Sequence, residues 1–181
     1  MQREINKALE TLKKGGTILY PTDTIWGIGC DATNAEAVQR IFKIKKRTKS
    51  KALISLISNK EQLSKLVNLN KQYPKEGRNP TTVIYQNVIG LAKNLLASNS
   101  SAAIRIVQDS FCKELIQRFN KPIVSTSANI SNERFPKRFS DISKEIINNV
   151  DYIVNLRQNE IMDVQSKIVS INNDGSIKRL R

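Results

Sequence analysis

Short apolar segments of strand length alternate with amphipathic helical patterns along this chain, and this alternation limits the fold more than any other feature. Apolar residues recur at helical spacing over residues 3–14, Gly15-Gly16 ends that pattern, and a buried strand follows over residues 17–20. The dipeptide Asp174-Gly175 predicts a hairpin turn between the last two strands. Further strands are predicted over residues 52–57, 81–86, 102–107, 121–126 and 151–156. We therefore predict one mixed α/β domain spanning residues 1–181.

Capping signals place helices between these strands. Thr33 with Glu36 predicts one capping box, and Ser58 with Glu61 predicts another that opens a helix through residue 67. Asp109 is the predicted N-cap of a later helix. That later helix is predicted to end at residue 120. Further helices are predicted over residues 91–97 and 140–148, and loops over residues 68–80 and 157–165.

The 181 residues contain no histidine, and this excludes several kinds of chemistry. Ser-His-Asp and Cys-His nucleophiles, imidazole metal ligands and a histidine base are all ruled out. With two cysteines, Cys30 and Cys112, a structural zinc site is not expected, and we interpret both as reduced and buried. Catalysis must then use Lys, Arg, carboxylates, hydroxyls, backbone amides or a bound hard cation, which favours phosphoryl or nucleotidyl transfer.

The charge balance predicts an anionic ligand but does not say which kind. Thirty basic against sixteen acidic residues give a formal net charge of +14, a field that attracts nucleotides and RNA alike. A double-stranded RNA-binding or ribosome-assembly protein is therefore the alternative function, although aromatic residues at 6% form no stacking ladder. No apolar run reaches the length of a membrane span and the N-terminus lacks a signal core, so we expect a cytoplasmic protein without a membrane partner.

Polar and cationic side chains gather where the predicted strands end, which is where open α/β sheets usually bind ligands. Residues 22–24 follow one strand, and Ser127 and Asn129 follow another. Lys45 and Arg47 serve one ligand only if the preceding helix ends near residue 44 or the side chains wrap around it. Each residue taken alone has a simpler interpretation as a turn cap, an ion-pair partner or solvated charge. Together they favour a nucleotide site, and the candidates are Thr22, Thr24, Lys45, Arg47, Thr82, Arg105, Ser127 and Asn129.

Familiar glycine signatures of nucleotide binding do not occur in this sequence. No G-x-x-x-x-G-K-[ST] is present, which excludes a P-loop. Gly27 and Gly29 form G-x-G but lack the third glycine and the acidic residue of a dinucleotide site. We interpret both glycines as positions of close backbone packing after the loop over residues 21–24.

Five motifs follow one another in a set order: YPTDTIWGIGCD over 20–31, K-x-R over 45–47, P-T-T over 80–82, IRIV around Arg105 and STSANIS over 125–131. Together they resemble the YrdC/TsaC family, the threonylcarbamoyl-AMP synthases, and the similarity extends from the first helix to the terminal hairpin. This resemblance implies a YrdC-like twisted mixed β-sheet with flanking helices around a positively charged cavity.

The resemblance also implies an activity. Members of the family condense L-threonine, bicarbonate or CO2, and ATP into L-threonylcarbamoyladenylate and release pyrophosphate. The product serves tRNA threonylcarbamoyladenosine modification, so tRNA or the proteins of a tRNA threonylcarbamoyl-transferase system are the implied partners. Mg2+ is the implied cation, carried by the ATP phosphates rather than by identified protein ligands. Negative charge grows on the α-phosphate and the leaving group, so Lys45 and Arg47 are the expected catalytic residues.

Individual positions match the family motifs. Thr22, Thr24, Arg105, Ser127 and Ser166 correspond to threonine-side residues, and Arg105 is expected to grip the carboxylate through a bidentate fork. The implied ATP-binding residues are Lys45, Arg47, Thr82, Ser127, Asn129 and Arg181.

No general base is evident in the sequence, so we hypothesise that such an enzyme acts by alignment and charge. An Asp23→Asn variant that lost turnover while keeping threonine and ATP binding would contradict that hypothesis.

Several positions depart from the family pattern and change the stiffness of loops near the nucleotide. Thr48, Val107 and Gln165 stand where prolines are usual, KEGRNP replaces a compact P-G-P before Thr82, and Asn132 replaces a glycine. A carbamoyl-transfer module of the hydrogenase-maturation type shares this domain and is a second alternative. The short chain, without zinc-finger cysteines or an acylphosphatase segment, argues against it.

Overall fold

The computed structural model of this chain describes residues 1–47, 53–68, 79–171 and 176–181. Its strands form one nine-stranded sheet in the order β7-β1-β2-β6-β3-β5-β4-β8-β9. Parallel pairs (β1 with β7, β3 with β5, β4 with β8) occur beside antiparallel ones, so the predicted mixed α/β architecture is confirmed. The strands are β1 Ile18–Tyr20, β2 Gly27–Gly29, β3 Ile54–Ile57, β4 Thr81–Tyr85, β5 Ala102–Ile106, β6 Ile123–Ser127, β7 Tyr152–Ile153, β8 Lys167–Ile171 and β9 Ile177–Arg179.

The helices pack on both faces of this sheet, and successive residues of β1 enter two separate cores. Ile18 and Tyr20 join α1 and α4 in one core, whereas Leu19 joins α2 in the other. The buried stripe predicted for the first helix is confirmed by Ile5 and Leu12. The helices are α1 Gln2–Lys13, α2 Ala35–Ile44, α3 Lys60–Ser64, α4 Ser110–Phe119 and α5 Lys144–Ile147, with 3-10 turns at Lys93–Leu95 and Phe139–Asp141.

Two predicted N-caps are wrong by one residue. Asn34, not Thr33, accepts the backbone N–H groups of Glu36 and Ala37 at the start of α2. Thr33 is instead held by the Asp31 carboxylate. Asn59, not Ser58, caps α3. In both places an asparagine adjoins the predicted cap, and asparagine is at least as good an N-cap as serine or threonine.

Other predicted elements are shorter than expected. The helix predicted over 91–97 is a 3-10 turn of three residues, and the helix over 140–148 is split into a 3-10 turn and the four residues of α5. The helix predicted through residue 67 ends at Ser64, and the strand over 151–156 keeps two residues. Local propensity therefore overestimates the length of these elements, because tertiary context regularly overrides it.

The later elements agree better with prediction. The Asp109 cap is confirmed, since its carboxylate accepts the Cys112 N–H, and Asn120 ends α4 in a left-handed conformation with φ of 55°. The terminal hairpin is confirmed as the antiparallel pair β8–β9. Residues 69–78 of the predicted 68–80 loop, the predicted hairpin turn over residues 172–175, and Thr48 lie outside the described residues. Cys30 and Cys112 are free and buried, as predicted. Among the described residues, no helix is long and apolar enough to cross a membrane.

Strand β2 is absent from the sequence prediction, although its glycines were correctly interpreted as points of close packing. A Cβ on Gly29 would press against the Val124 carbonyl oxygen and lie 2.7 Å from Cε1 of Tyr20. A Cβ on Gly27 would lie 3.0 Å from the Ser125 hydroxyl. Two glycines lower the strand propensity of this segment. It forms a strand because its backbone pairs closely with β1 on one side and β6 on the other.

Gly29→Ala should destabilise the protein by about 3 kcal/mol, because the clash is with the backbone of the adjacent strand and cannot be relieved by a rotamer change. Urea unfolding measures the change in unfolding free energy. Gly27→Ala is the matched control, and its cost should be smaller because its nearest neighbour is a side-chain hydroxyl. Equal stability of the two variants would contradict this account of β2.

Candidate active site

A cavity of about 250 Å³ opens on the sheet face that carries the α1–α4 core, and none of its lining residues belongs to those two helices. Ala103 and Arg105, two residues apart on β5, point into it from the middle of the sheet. Strands β2, β3, β4, β6 and β8 add further wall residues. The predicted site residues that it brings together are Thr24, Arg47, Arg105, Ser127, Ser166 and Arg181.

The wall of the cavity combines apolar surface with cationic side chains. Its guanidinium groups come from Arg47, Arg105 and Arg181, and among the described residues no carboxylate lines it. The apolar part comes from Ile25, Leu53, Ile54, Ile84, Ala103 and Ile168. This composition suits a ligand that has both an apolar body and several negative charges.

The loop after β1 is braced by its own hydroxyl groups. Thr22 is buried, and its Oγ1 accepts the N–H groups of Thr24 and Ile25 while contacting the Thr24 hydroxyl at 2.9 Å. Thr24 lines the cavity and Thr22 does not. Of the two predicted threonine-side hydroxyls, one therefore lies in the cavity wall and the other shapes the turn behind it.

Arg105 both lines the cavity and forms an ion pair, so the two interpretations of this residue are compatible. Its Nη2 donates to Asp23 Oδ1 at 2.8 Å and to Thr24 Oγ1 at 3.2 Å. The second Asp23 oxygen accepts the Gln108 N–H at 3.2 Å. Because both oxygens of Asp23 are engaged, this carboxylate is poorly placed to act as a general base.

The turn at the end of α2 determines where the two basic side chains of the K-x-R motif lie. The helix ends at Ile44, which meets the first of the two conditions under which Lys45 and Arg47 could serve one ligand. Lys46 adopts φ of 48°, its N–H donates to the Lys43 carbonyl, and the Arg47 N–H donates to the Phe42 carbonyl. This is a Schellman turn with lysine at the position usually held by glycine. It separates the two cations, so that Arg47 lines the cavity while Lys45 is buried.

Lys45 lies beneath the S-x-N loop rather than in the cavity wall. Its Nζ donates to the carbonyl oxygens of Ser127 and Asn129, each at 2.5 Å, and its own carbonyl accepts the Ser131 N–H. Burial, followed by the nearby charge of Arg47, lowers the pKa of Lys45 to about 7. Lys45 therefore holds the loop in place from beneath it.

Asn129 is also outside the cavity wall. Its Nδ2 donates to the carbonyl oxygens of Ile130 and Glu133, and its buried Oδ1 has no hydrogen-bond partner among the described residues. Ser127, at the end of β6, does line the cavity. Arg47 Nη1 donates to Thr126 Oγ1 at 3.3 Å, which ties the cationic turn to the same strand end.

The terminal hairpin closes the other side of the cavity. The Thr82 and Ser166 hydroxyls contact each other at 2.9 Å, and Thr82 is buried behind Ser166. The N–H groups of Leu180 and Arg181 both donate to the Ile168 carbonyl, which defines a β-bulge. In the regular register Arg181 would pair with Lys167 on the outer face. The bulge turns it into the cavity, where Nε and Nη2 donate to the Ser166 carbonyl.

Burial also lowers the pKa values of two arginines that line the cavity. Burial lowers the pKa of Arg47, and burial together with the Arg105 charge lowers that of Arg181. Both directions mean that the free cavity holds its positive charges at a cost. A bound anion would reduce that cost, which favours a negatively charged ligand.

Two contributors were missed by sequence reasoning. Arg157, in a left-handed conformation within a predicted loop, donates from Nη1 to the Thr22 carbonyl at 3.0 Å. No local pattern marks this contact, which spans 135 residues. Gln165 lines the cavity beside Ser166, but the sequence showed it only as a replaced proline. Neither position carries a motif of its own.

Comparison with known proteins adds a second line of information. The Sua5/YciO/YrdC family model, described as telomere recombination, matches residues 10–181. A threonylcarbamoyl-AMP synthase of Pseudoalteromonas translucida is 34% identical over 84% of this chain and 86% of its own. One of Psychromonas ingrahamii is 35% identical over 72% of each chain.

Solved structures share the fold. P. abyssi Sua5, solved in complex with L-threonine, superposes with a TM-score of 0.86 at 24% sequence identity. The match covers all of this chain and 54% of that one, so the chain spans about half the length of Sua5. The predicted twisted mixed sheet with flanking helices is thereby confirmed.

Proposed function

Because this chain belongs to the Sua5/YciO/YrdC family, we propose that it is a threonylcarbamoyl-AMP synthase. It condenses L-threonine, bicarbonate or CO2, and ATP into L-threonylcarbamoyladenylate and releases pyrophosphate. The observation that carries this proposal is a cavity lined by three arginines and, within the described part of the chain, by no acidic residue, in a chain whose curated relatives bear that name.

The nucleotide side of the proposed site centres on Arg47 and Ser127. Arg47 faces the cavity, Lys45 holds the Ser127–Asn129 loop from below, and Arg181 reaches in from the hairpin. Fixed cations of this kind stabilise charge that develops on the α-phosphate and on departing pyrophosphate. Asn129 supports this half by holding the S-x-N loop.

The threonine side centres on Arg105 and Thr24. The Arg105 guanidinium is a suitable partner for the amino-acid carboxylate, and the neighbouring Thr24 hydroxyl can accept or donate a hydrogen bond. Thr22 and Ser166 complete this side by fixing the loop and the hairpin edge. The threonine amine forms a carbamate with CO2, and a carbamate oxygen attacks the α-phosphorus in line with the leaving group.

Mg2+ in this scheme arrives on the ATP phosphates, where it neutralises charge. Among the described residues no cluster of three acidic or cysteine side chains offers it a protein site. We further propose a cytoplasmic role in tRNA modification, with tRNA or a threonylcarbamoyl-transferase protein receiving the product. The basic excess of the chain supports an encounter with such an RNA or its complex.

The proposal predicts pyrophosphate release that requires L-threonine, bicarbonate and ATP together. Each substrate is omitted in turn in a coupled pyrophosphate assay with the full chain and Mg2+. Arg47→Ala should raise the KM for ATP by about 100-fold, the size expected when a charge-assisted phosphate contact is lost.

Lys13→Ala is the control for Arg47→Ala, since it removes an exposed cation at the end of α1, away from the cavity, and should leave both constants unchanged. Pyrophosphate release that ignores threonine would reject the function. Tight RNA binding without threonine-dependent turnover would instead support the RNA-binding alternative.

A further inference from the structure

Arg105, in the cavity wall, forms a buried ion pair with Asp23 on one side of its guanidinium group. The side chains of Arg105 and Asp23 are 3% and 6% exposed, and their contact measures 2.8 Å. Arg105 lines the cavity, whereas Asp23 does not. The carboxylate therefore holds the guanidinium from behind, on the side away from any ligand.

Asp23 is itself fixed from a second direction. Its Oδ2 accepts the Gln108 N–H, which belongs to the segment between β5 and α4. The Thr22 carbonyl next to it accepts from Arg157. A carboxylate anchored at both oxygens defines the position of its partner more narrowly than a mobile one.

The guanidinium keeps donors for a further acceptor. Asp23 and Thr24 share Nη2, and Nε is buried without a hydrogen-bond partner among the described residues. A guanidinium carries five N–H donors in a fixed planar fork, so fixing Nη2 fixes the direction of the rest. Without the Asp23 carboxylate, the Arg105 side chain could adopt several rotamers, and the entropy lost in ordering it would weaken ligand binding.

We propose that Asp23 is a positioning residue for amino-acid binding, which orients Arg105 toward the substrate carboxylate. This inference rests on the proposed function, because it assigns the Arg105 side of the cavity to the amino acid. Asp23 does not touch the substrate and transfers no proton. Its effect is confined to how well Arg105 is prepared before the amino acid arrives.

Asp23→Asn should raise the KM for L-threonine about tenfold, leave the KM for ATP within about twofold, and leave kcat at saturating threonine nearly unchanged. Asn cannot satisfy both Arg105 and the Gln108 N–H, because only one of its two terminal atoms accepts. Asp23→Glu keeps the charge but moves it by one methylene, so its threonine KM should lie between those of the wild type and Asp23→Asn.

Asp31→Asn is the matched control. Asp31 is equally buried and paired with Lys121 at 2.8 Å, but it lies outside the cavity wall. Melting temperatures of all variants separate loss of folding from loss of binding. If Asp23→Asn does not fold, Asp23→Glu carries the test.

The inference fails if threonine KM is unaltered in the Asp23 variants, rises equally in Asp31→Asn, or falls because a competing negative charge was removed. It also fails if the KM for ATP rises in parallel. Wild-type turnover without a threonine requirement would reject the proposed function itself, and isothermal titration of L-threonine into wild type and Asp23→Asn would then still test whether Asp23 prepares Arg105 for a carboxylate.

Discussion

Lys45→Met should reduce threonine-dependent pyrophosphate release by at least about 100-fold, as expected when a fixed stabilising charge is lost from an active site. Methionine has a similar length but donates no hydrogen bond, so the carbonyl oxygens of Ser127 and Asn129 lose their shared donor. The loop that carries Ser127 is then free to shift. The kcat should fall and the KM for ATP should rise, because the variant loses the anchor of the loop and the positive charge at the same time.

The control for this variant is Lys43→Met, the same substitution on an exposed residue of α2. It removes one positive charge from the same helix and should keep activity within about twofold of wild type. Similar losses in the two variants would mean that general positive charge, rather than the buried position of Lys45, supports the reaction.

Lys45 also predicts a pH dependence of stability. Its folded-state pKa of about 7 lies below the value of about 10.4 expected in the unfolded chain. Between these values the unfolded state binds more protons, so the free energy of unfolding should gain a rising contribution as pH increases from 7 to 10. Urea titrations at pH 6.5 and 9 should show this gain in wild type, whereas Lys45→Met should lack it.

Arg105→Lys should raise the KM for L-threonine by about 100-fold while changing the KM for ATP by less than about threefold. Lysine keeps the positive charge and so spares the buried Asp23 from isolation. It lacks the planar fork that contacts Asp23 and Thr24 while still presenting donors to a carboxylate. Steady-state kinetics with each substrate varied against saturating partners separates the two constants.

Arg40→Lys provides the comparison, because Arg40 also pairs with an aspartate, Asp151, but at a half-exposed surface position. Its kinetic constants should match wild type. An equal rise in both KM values for Arg105→Lys would show that the cavity has no separate amino-acid side. The division of the site proposed above would then be wrong.

Much of the fold was predictable because its signals are local. The stripe of α1 and the Asp109 cap of α4 depend on residues within a few positions of one another, and both predictions are confirmed. The errors lie where neighbours compete for one role, as Thr33 and Asn34 do at the start of α2. Strand β2 was missed because the glycines that permit its close packing also lower its propensity.

The site was predicted less completely than the fold. Motif matching identified residues that converge on one region, and six of the positions line a common cavity. It could not separate those that face the cavity from those that support them. Lys45 and Arg47 take opposite roles because Lys46 adopts a left-handed conformation, and lysine gives no local signal of that turn.

The sequence by itself determined the class of chemistry, because the absence of histidine and the excess of cations are properties of composition. It also determined most of the order of strands and helices through their periodicity, with β2 as the main exception. Only the tertiary structure decided which charges meet. Asp23 and Arg105 are 82 residues apart, and Arg181 enters the cavity through a bulge against β8. Such contacts depend on strand register and long-range packing, which no short stretch of sequence specifies.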